Sequence, residues 1–203
     1  MGYAARPREC LQAVRDRAEC VVAGNHDYGA VEKINLVYFN ADAREAIEWT
    51  DDQLSEDELD WLRELPLTAE FDGLLLVHST PYSPEYFSYI QTLYDAALAF
   101  RKMEGRIAVV GHSHVPIVFV NSNPIDYFLL AEFAIPEHEK MIVNVGSVGQ
   151  PRDLDYRASY AIIDTDSGQV LMQRVDYDVR AAAEAVLAAD LPAVNAQRLF
   201  LGR

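Results

Sequence analysis

Three short apolar runs in this chain each lead into histidine. Val21-Val22-Ala23 runs into Gly24-Asn25-His26-Asp27, Leu74-Leu75-Leu76-Val77 into His78, and Ile107-Ala108-Val109-Val110 into Gly111-His112-Ser113-His114. A continuous apolar run of this length, without polar alternation, predicts a strand covered on both faces. In open α/β sheets, ligands gather outside the carboxyl ends of the strands. One histidine just past a strand is usually no more than a polar terminus. Here four of the five histidines occupy such points, and neutral imidazole is the commonest protein metal ligand. The pattern therefore predicts one sheet rim carrying several metal ligands. The fifth, His138, lies in Pro136-Glu137-His138-Glu139-Lys140 and reads as a solvated loop residue.

Helical signals fill the intervals. Residues 6–17 place Cys10, Leu11, Val14 and Ala18 on one face, and a second helix is predicted over 42–49. Ser55, with Glu58 three residues on, gives a capping box for a third, which Pro66 ends. Further helices are expected within 90–102 and over 181–189. Strands are expected at Ile117–Val120, 141–145, 159–164 and 170–175, where fewer helices intervene, so part of the architecture should be antiparallel. Strand and helix alternating, then a run of strands, predicts an α/β fold of two sheets with helices outside. No repeat or long linker divides residues 1–203, which read as a single domain.

Charge and composition exclude several classes. The chain has 32 acidic and 17 basic residues, a formal charge of -15. Such a surface repels phosphate backbones, so long nucleic acid is not an expected partner. A small phosphorylated substrate remains compatible, because bound metal can reverse the field locally. No run approaches the ~20 apolar residues of a membrane span. No basic patch precedes an apolar stretch at the N-terminus, so a cytoplasmic location is the default expectation. Cys10 and Cys20 form no CxxC pair, which argues against a disulfide framework or a structural zinc site.

The histidine motifs, in this order and placement, resemble successive motifs of the calcineurin-like metallophosphoesterases. Asn144-Val145-Gly146-Ser147-Val148-Gly149-Gln150-Pro151-Arg152-Asp153, followed by Arg157-Ala158-Ser159-Tyr160, resembles the branch of small bacterial and archaeal phosphodiesterases of the YfcE type. The resemblance covers nearly the whole chain. It implies a four-layer αββα sandwich of two mixed sheets. It also implies two divalent ions (manganese, iron, nickel or zinc) and hydrolysis of a small phosphorylated substrate, most simply a phosphodiester, by a dimetal-activated water. Asn25, His78 and His112 would ligate one ion and His114 the other. His26 would face the substrate as proton donor or transition-state stabiliser, and Asp27 would orient it. Imidazole and amide oxygen suit borderline divalent ions, and a pair of them can clamp both oxygens of an in-line displacement. Arg152 and Arg157 are candidate phosphate clamps, Arg152 the preferred one, against the simpler reading of ion pairs with Asp153 or Asp155.

The family pattern opens with Asp-x-His and Gly-Asp motifs, and neither occurs in this sequence. The resemblance thus implies that an N-terminal strand–helix–strand is missing, with the bridging carboxylate, and that catalysis by this chain is impaired. A non-catalytic scaffold on the same fold is the alternative that follows. A serine hydrolase is disfavoured, since Val115 stands where the nucleophile elbow of Gly111-His112-Ser113-His114-Val115 needs its second glycine. Tyr82, Tyr86, Phe87 and Tyr89 form an aromatic-rich segment that could pack locally or serve a homo-oligomer.

Overall fold

The apolar runs at 74–77 and 107–110 become neighbouring strands in the computed structural model, which describes residues 2–203. In chain order, helices α1 (Pro7–Arg17), α2 (Asn25–Ala30), α3 (Ala41–Gln53) and α4 (Glu56–Glu64) precede strands β1 (Thr68–Phe71) and β2 (Leu74–Val77). Helix α5 (Leu93–Lys102) precedes β3 (Ile107–Val110), β4 (Ile117–Val120), β5 (Asp126–Phe128) and β6 (Glu132–Ala134). Then come β7 (Met141–Asn144), β8 (Ala158–Asp164), β9 (Gln169–Val175), α6 (Val179–Ala188) and α7 (Ala193–Leu201).

One sheet has six strands in the order β1-β2-β3-β7-β4-β5, and the other has three, β6-β9-β8. The larger sheet is mixed: β2, β3 and β7 run parallel, while β1, β4 and β5 are antiparallel to their neighbours. The smaller sheet is antiparallel throughout. The two-sheet α/β architecture is thus as expected.

Strand β3 shows why its sequence does not alternate. Ile107 and Val109 pack with Phe133, Val170 and Ile163 of the second sheet. Ala108 and Val110 pack with Ala96, Ala99 and Phe100 of α5. Both faces are covered, and each large apolar side chain so buried contributes roughly 1.5–3 kcal/mol. Helix α5 starts where Thr92 Oγ1 accepts from Asp95 N (3.2 Å) and the Asp95 carboxylate accepts from Thr92 N (2.9 Å), a reciprocal cap. At α4 the Glu58 carboxylate accepts from both Ser55 N and Ser55 Oγ. Helices α6 and α7 pack together and against Ala46 and Trp49 of α3.

The strand expected at 21–23 does not form among the described residues. The segment has no regular structure, and Ala23 N donates to Pro66 O at 2.8 Å rather than into a ladder. The short helix α2, the edge strands β1, β5 and β6, and α7 were not expected from the sequence pattern. Among the described residues, no helix is long and apolar enough to cross a membrane.

Candidate metal centre

Parallel pairing of β2 with β3 opens both carboxyl ends on one edge, and the residues that follow are the histidines. Gly111 N donates to His78 O at 2.9 Å, which ties the two strand exits together. Helix α2 brings Asn25 to the same place. His78 Nε2 lies 3.1 Å from His112 Nδ1 and 3.2 Å from Asn25 Oδ1. An imidazole nitrogen carries at most one proton, so Nε2 cannot donate to both neighbours. Lone pairs therefore converge. Cis donors on a divalent ion with bonds of about 2.1 Å would stand roughly 3.0 Å apart, and the observed spacings fit that set. Gly24 permits the approach: a Cβ there would lie 2.9 Å from His78 Nδ1 and Cε1.

His114 Nδ1 is 2.7 Å from Gln150 O. A neutral ring donating through Nδ1 leaves the Nε2 lone pair for a ligand, the usual outer-shell arrangement of a metal-binding histidine. His112 and His114 both adopt left-handed backbone, with φ 62° and 61°, a conformation few non-glycine residues take. Asn144, at the end of β7, holds this turn. Its Nδ2 donates to Gly111 O (2.6 Å) and Ser113 Oγ (2.9 Å), and its Oδ1 accepts from Gly146 N (3.0 Å).

His26 is buried between aromatic rings, 4.2 Å from Tyr3 and 5.3 Å from Phe39 by ring centres. Among the described residues its Nδ1 is buried without a hydrogen-bond partner, as is His112 Nε2. Asp27 Oδ2 accepts from Gly24 N at 2.8 Å and so caps α2.

Burial is the leading cause of every histidine shift. It pushes His26 down to about 2, with the charges of His114, His78 and Arg152 adding to it. His78 falls to about 3, opposed by the Asp27 carboxylate. His112 and His114 fall to about 4; the Phe87 carbonyl opposes the first, though it lies outside hydrogen-bond geometry with the unpartnered Nε2. All four rings are therefore neutral near pH 7, the form in which imidazole ligates metal. Among the described residues no three His, Cys, Asp or Glu side chains form a ligand group by themselves. The donors that do approach one another are mixed, two imidazoles with an amide oxygen, a combination that could hold a borderline divalent ion.

The structure separates the two arginines. Arg157 is paired with Asp155 at 2.7 Å. Arg152 donates to the neutral Gln150 Oε1 at 2.8 Å and lies over the Tyr3 ring, 5.4 Å from its centre. Its charge reaches His26, His112 and His114. Ser113 is buried and accepts from Asn144, so it is no exposed nucleophile. His138 is exposed. The aromatic segment divides: Phe87 is buried near His78, Tyr89 stacks on His112 at 4.1 Å, and Tyr86 is exposed. Sequence reasoning had given no role to Asn144 or Tyr3, and had placed Tyr89 only in local packing or an oligomer contact. Asn144 lay inside a quoted motif, and its place directly after a buried strand was the available signal.

Residues 4–168 match a family model described as the calcineurin-like phosphoesterase superfamily domain. The chain is 38% identical over 209 residues to the uncharacterized protein MJ0912 of Methanocaldococcus jannaschii, covering 100% of this chain and 84% of that protein. Its fold matches the crystal structure of a metallophosphoesterase from Sphaerobacter thermophilus with a TM-score of 0.88 and 34% identity, over 100% of this chain and 85% of the other. A hypothetical protein of Pyrococcus horikoshii, PH1004, shares the fold at TM-score 0.76 and 18% identity, over 100% of this chain and 82% of that one. With this family match lying over most of its length and its histidines meeting at one sheet rim, the chain belongs to the calcineurin-like phosphoesterase superfamily.

Proposed function

We propose that this protein is a metal-dependent phosphoesterase acting on a small phosphorylated substrate, most simply as a phosphodiesterase. The observation that carries the reading is the approach of both Asn25 Oδ1 and His112 Nδ1 to within 3.2 Å of His78 Nε2. In this reading those three residues hold one divalent ion and His114 contributes to a second. Bound there, the ions would supply Lewis acidity and lower the pKa of water toward ~7. His26, neutral and enclosed, acts as a hydrogen-bond donor to the departing oxygen rather than as a cation. Asp27 supports it indirectly, by fixing the first turn of α2. Arg152, which among the described residues bonds to the neutral Gln150 amide and to no carboxylate, meets substrate phosphate.

The sequence holds no Asp-x-His and no Gly-Asp pair, so the second ion has one imidazole from this set. We expect turnover by this chain to be low. The test is hydrolysis of bis-p-nitrophenyl phosphate by the purified chain with added manganese, compared with EDTA-treated protein and with His112→Ala. Manganese-dependent release of nitrophenol that His112→Ala abolishes would support the reading. Stoichiometric metal binding without any release would favour a scaffold instead.

A further inference from the structure

Arg152 and Tyr89 border a second space as well as the histidine rim. It is a cavity of about 400 Å³ whose other walls include Tyr3, Gln197, Arg198 and Arg203. That volume lies within the usual range for small-ligand sites. Its far wall is α7 and the residues after it, all outside the family-matched segment 4–168.

The chemistry of this lining is opposite to that of the molecule. The chain carries a formal charge of -15, and four arginines elsewhere are matched to carboxylates: Arg8 to Glu58, Arg63 to Glu56 and Asp60, Arg157 to Asp155, Arg174 to Asp153. The cavity lining instead brings together three arginines. Among the described residues Arg152 bonds only to a neutral amide oxygen, and Arg198 and Arg203 have no side-chain hydrogen bond or ion pair. Like charges brought to one lining favour an anion that joins them.

The cluster is also held in place. Leu154 N donates to Gly202 O at 2.9 Å. Gly202 is left-handed, φ 60°, and a Cβ there would lie 2.6 Å from Asp155 N. The end of α7 is thus seated, backbone to backbone, on the loop that follows Arg152, which fixes Arg198 relative to it. Tyr89 stacks against His112 on one side and is 45% exposed on the other.

We propose that this cavity is a subsite for a second phosphate of the substrate, so that the substrate class is a small molecule bearing at least two phosphate groups. One phosphate meets the histidine rim. The other is held by Arg198 and Arg203, with Arg152 between them and the connecting group against Tyr3 and Tyr89. Guanidinium matches phosphate oxygens bidentately. The inference rests on the phosphoesterase reading, but its test does not depend on turnover.

The experiment is calorimetric titration of the purified, EDTA-treated chain with inorganic pyrophosphate and with orthophosphate. The wild-type chain should prefer pyrophosphate. Arg198→Gln should weaken pyrophosphate about tenfold, the loss of one charge-assisted bond, with Arg203→Gln acting the same way. Arg198→Lys should fall between, and melting temperatures should be unchanged. Equal pyrophosphate affinity in wild type and both Gln variants, or no preference over orthophosphate, would overturn the subsite. Hydrolysis of bis-p-nitrophenyl phosphate by the manganese-loaded wild type, measured in parallel, reports separately on the phosphoesterase reading.

Discussion

Replacing Gly24 with alanine tests the geometry of the centre at a residue that carries no donor. Gly24 has extended backbone, φ -97° and ψ 171°, so alanine meets no conformational penalty there. The added methyl meets the His78 ring instead, 2.9 Å from Nδ1 and Cε1 and 3.1 Å from Nε2. To regain ordinary contact the ring must withdraw by about half an ångström in an interior with little free space. It is held by Asn25 and His112 on one side and faces Phe87 at 6.2 Å on another. Overpacking of this kind costs about 1–3 kcal/mol. A shift of that size also exceeds the roughly 0.2 Å tolerance of ligand distances, so metal affinity should fall about 10–100-fold, as when an outer-shell contact is lost. Urea denaturation with an unchanged m-value would report the first effect, and calorimetric titration with zinc or manganese the second. Gly105→Ala is the control, because a Cβ there meets nothing within 4 Å. If Gly24→Ala matched Gly105→Ala in both stability and metal affinity, the proposed donor arrangement would be wrong.

Other substitutions and conditions separate the roles further. His112→Ala should abolish metal loading at one position and most activity, whereas His26→Gln should retain metal and lower turnover; plasma emission analysis of the two proteins decides it, and metal loss from His26→Gln would reverse the assignment. Acidification should destabilise the metal-free chain. The four buried histidines titrate at about 2 to 4 when folded and near 6.5 when unfolded, so the unfolded state binds more protons and stability falls as pH drops below ~6.5. At pH 5.5 each histidine accounts for about 1.4 kcal/mol, an upper bound of ~5.6 kcal/mol together, and equal urea midpoints in EDTA at pH 7.5 and 5.5 would contradict it. Gly146→Ala combines φ 76° with a Cβ 2.8 Å from Pro116 Cγ and Ser159 Oγ; a loss of about 2–5 kcal/mol is expected, and a loss below ~1 kcal/mol would show that this loop yields.

The rim was legible because its physics is local. A run such as Ile107–Val110 states its own burial, and the histidine after it inherits the position of the strand end. The run at 21–23 shows the limit: three apolar residues cannot reveal whether a partner strand stands beside them, and here Pro66 O does. Strand β1 was missed although Asp72-Gly73 is a hairpin dipeptide with both residues at positive φ. Its own residues, Thr68 to Phe71, are mostly exposed and lack a clear alternating pattern. The sequence preferred Arg152 to Arg157 but offered no physical ground for it, since each lies near an aspartate. What decides is reach: Arg157 closes a fork on Asp155 two residues away, and Arg152 turns instead toward Gln150. Arg198 was invisible for another reason. Helix α7 itself was not read from the sequence, and no helical pattern says which distant loop an exposed edge will face.

The left-handed backbone at His112 and His114 sets a ceiling on how robust this domain can become. Glycine or asparagine would relax each position, and selection for heat tolerance alone would favour them over an imidazole. Either change would delete a donor from the rim. The most durable sequence for this turn and the working one are therefore different sequences, and the chain carries the working one.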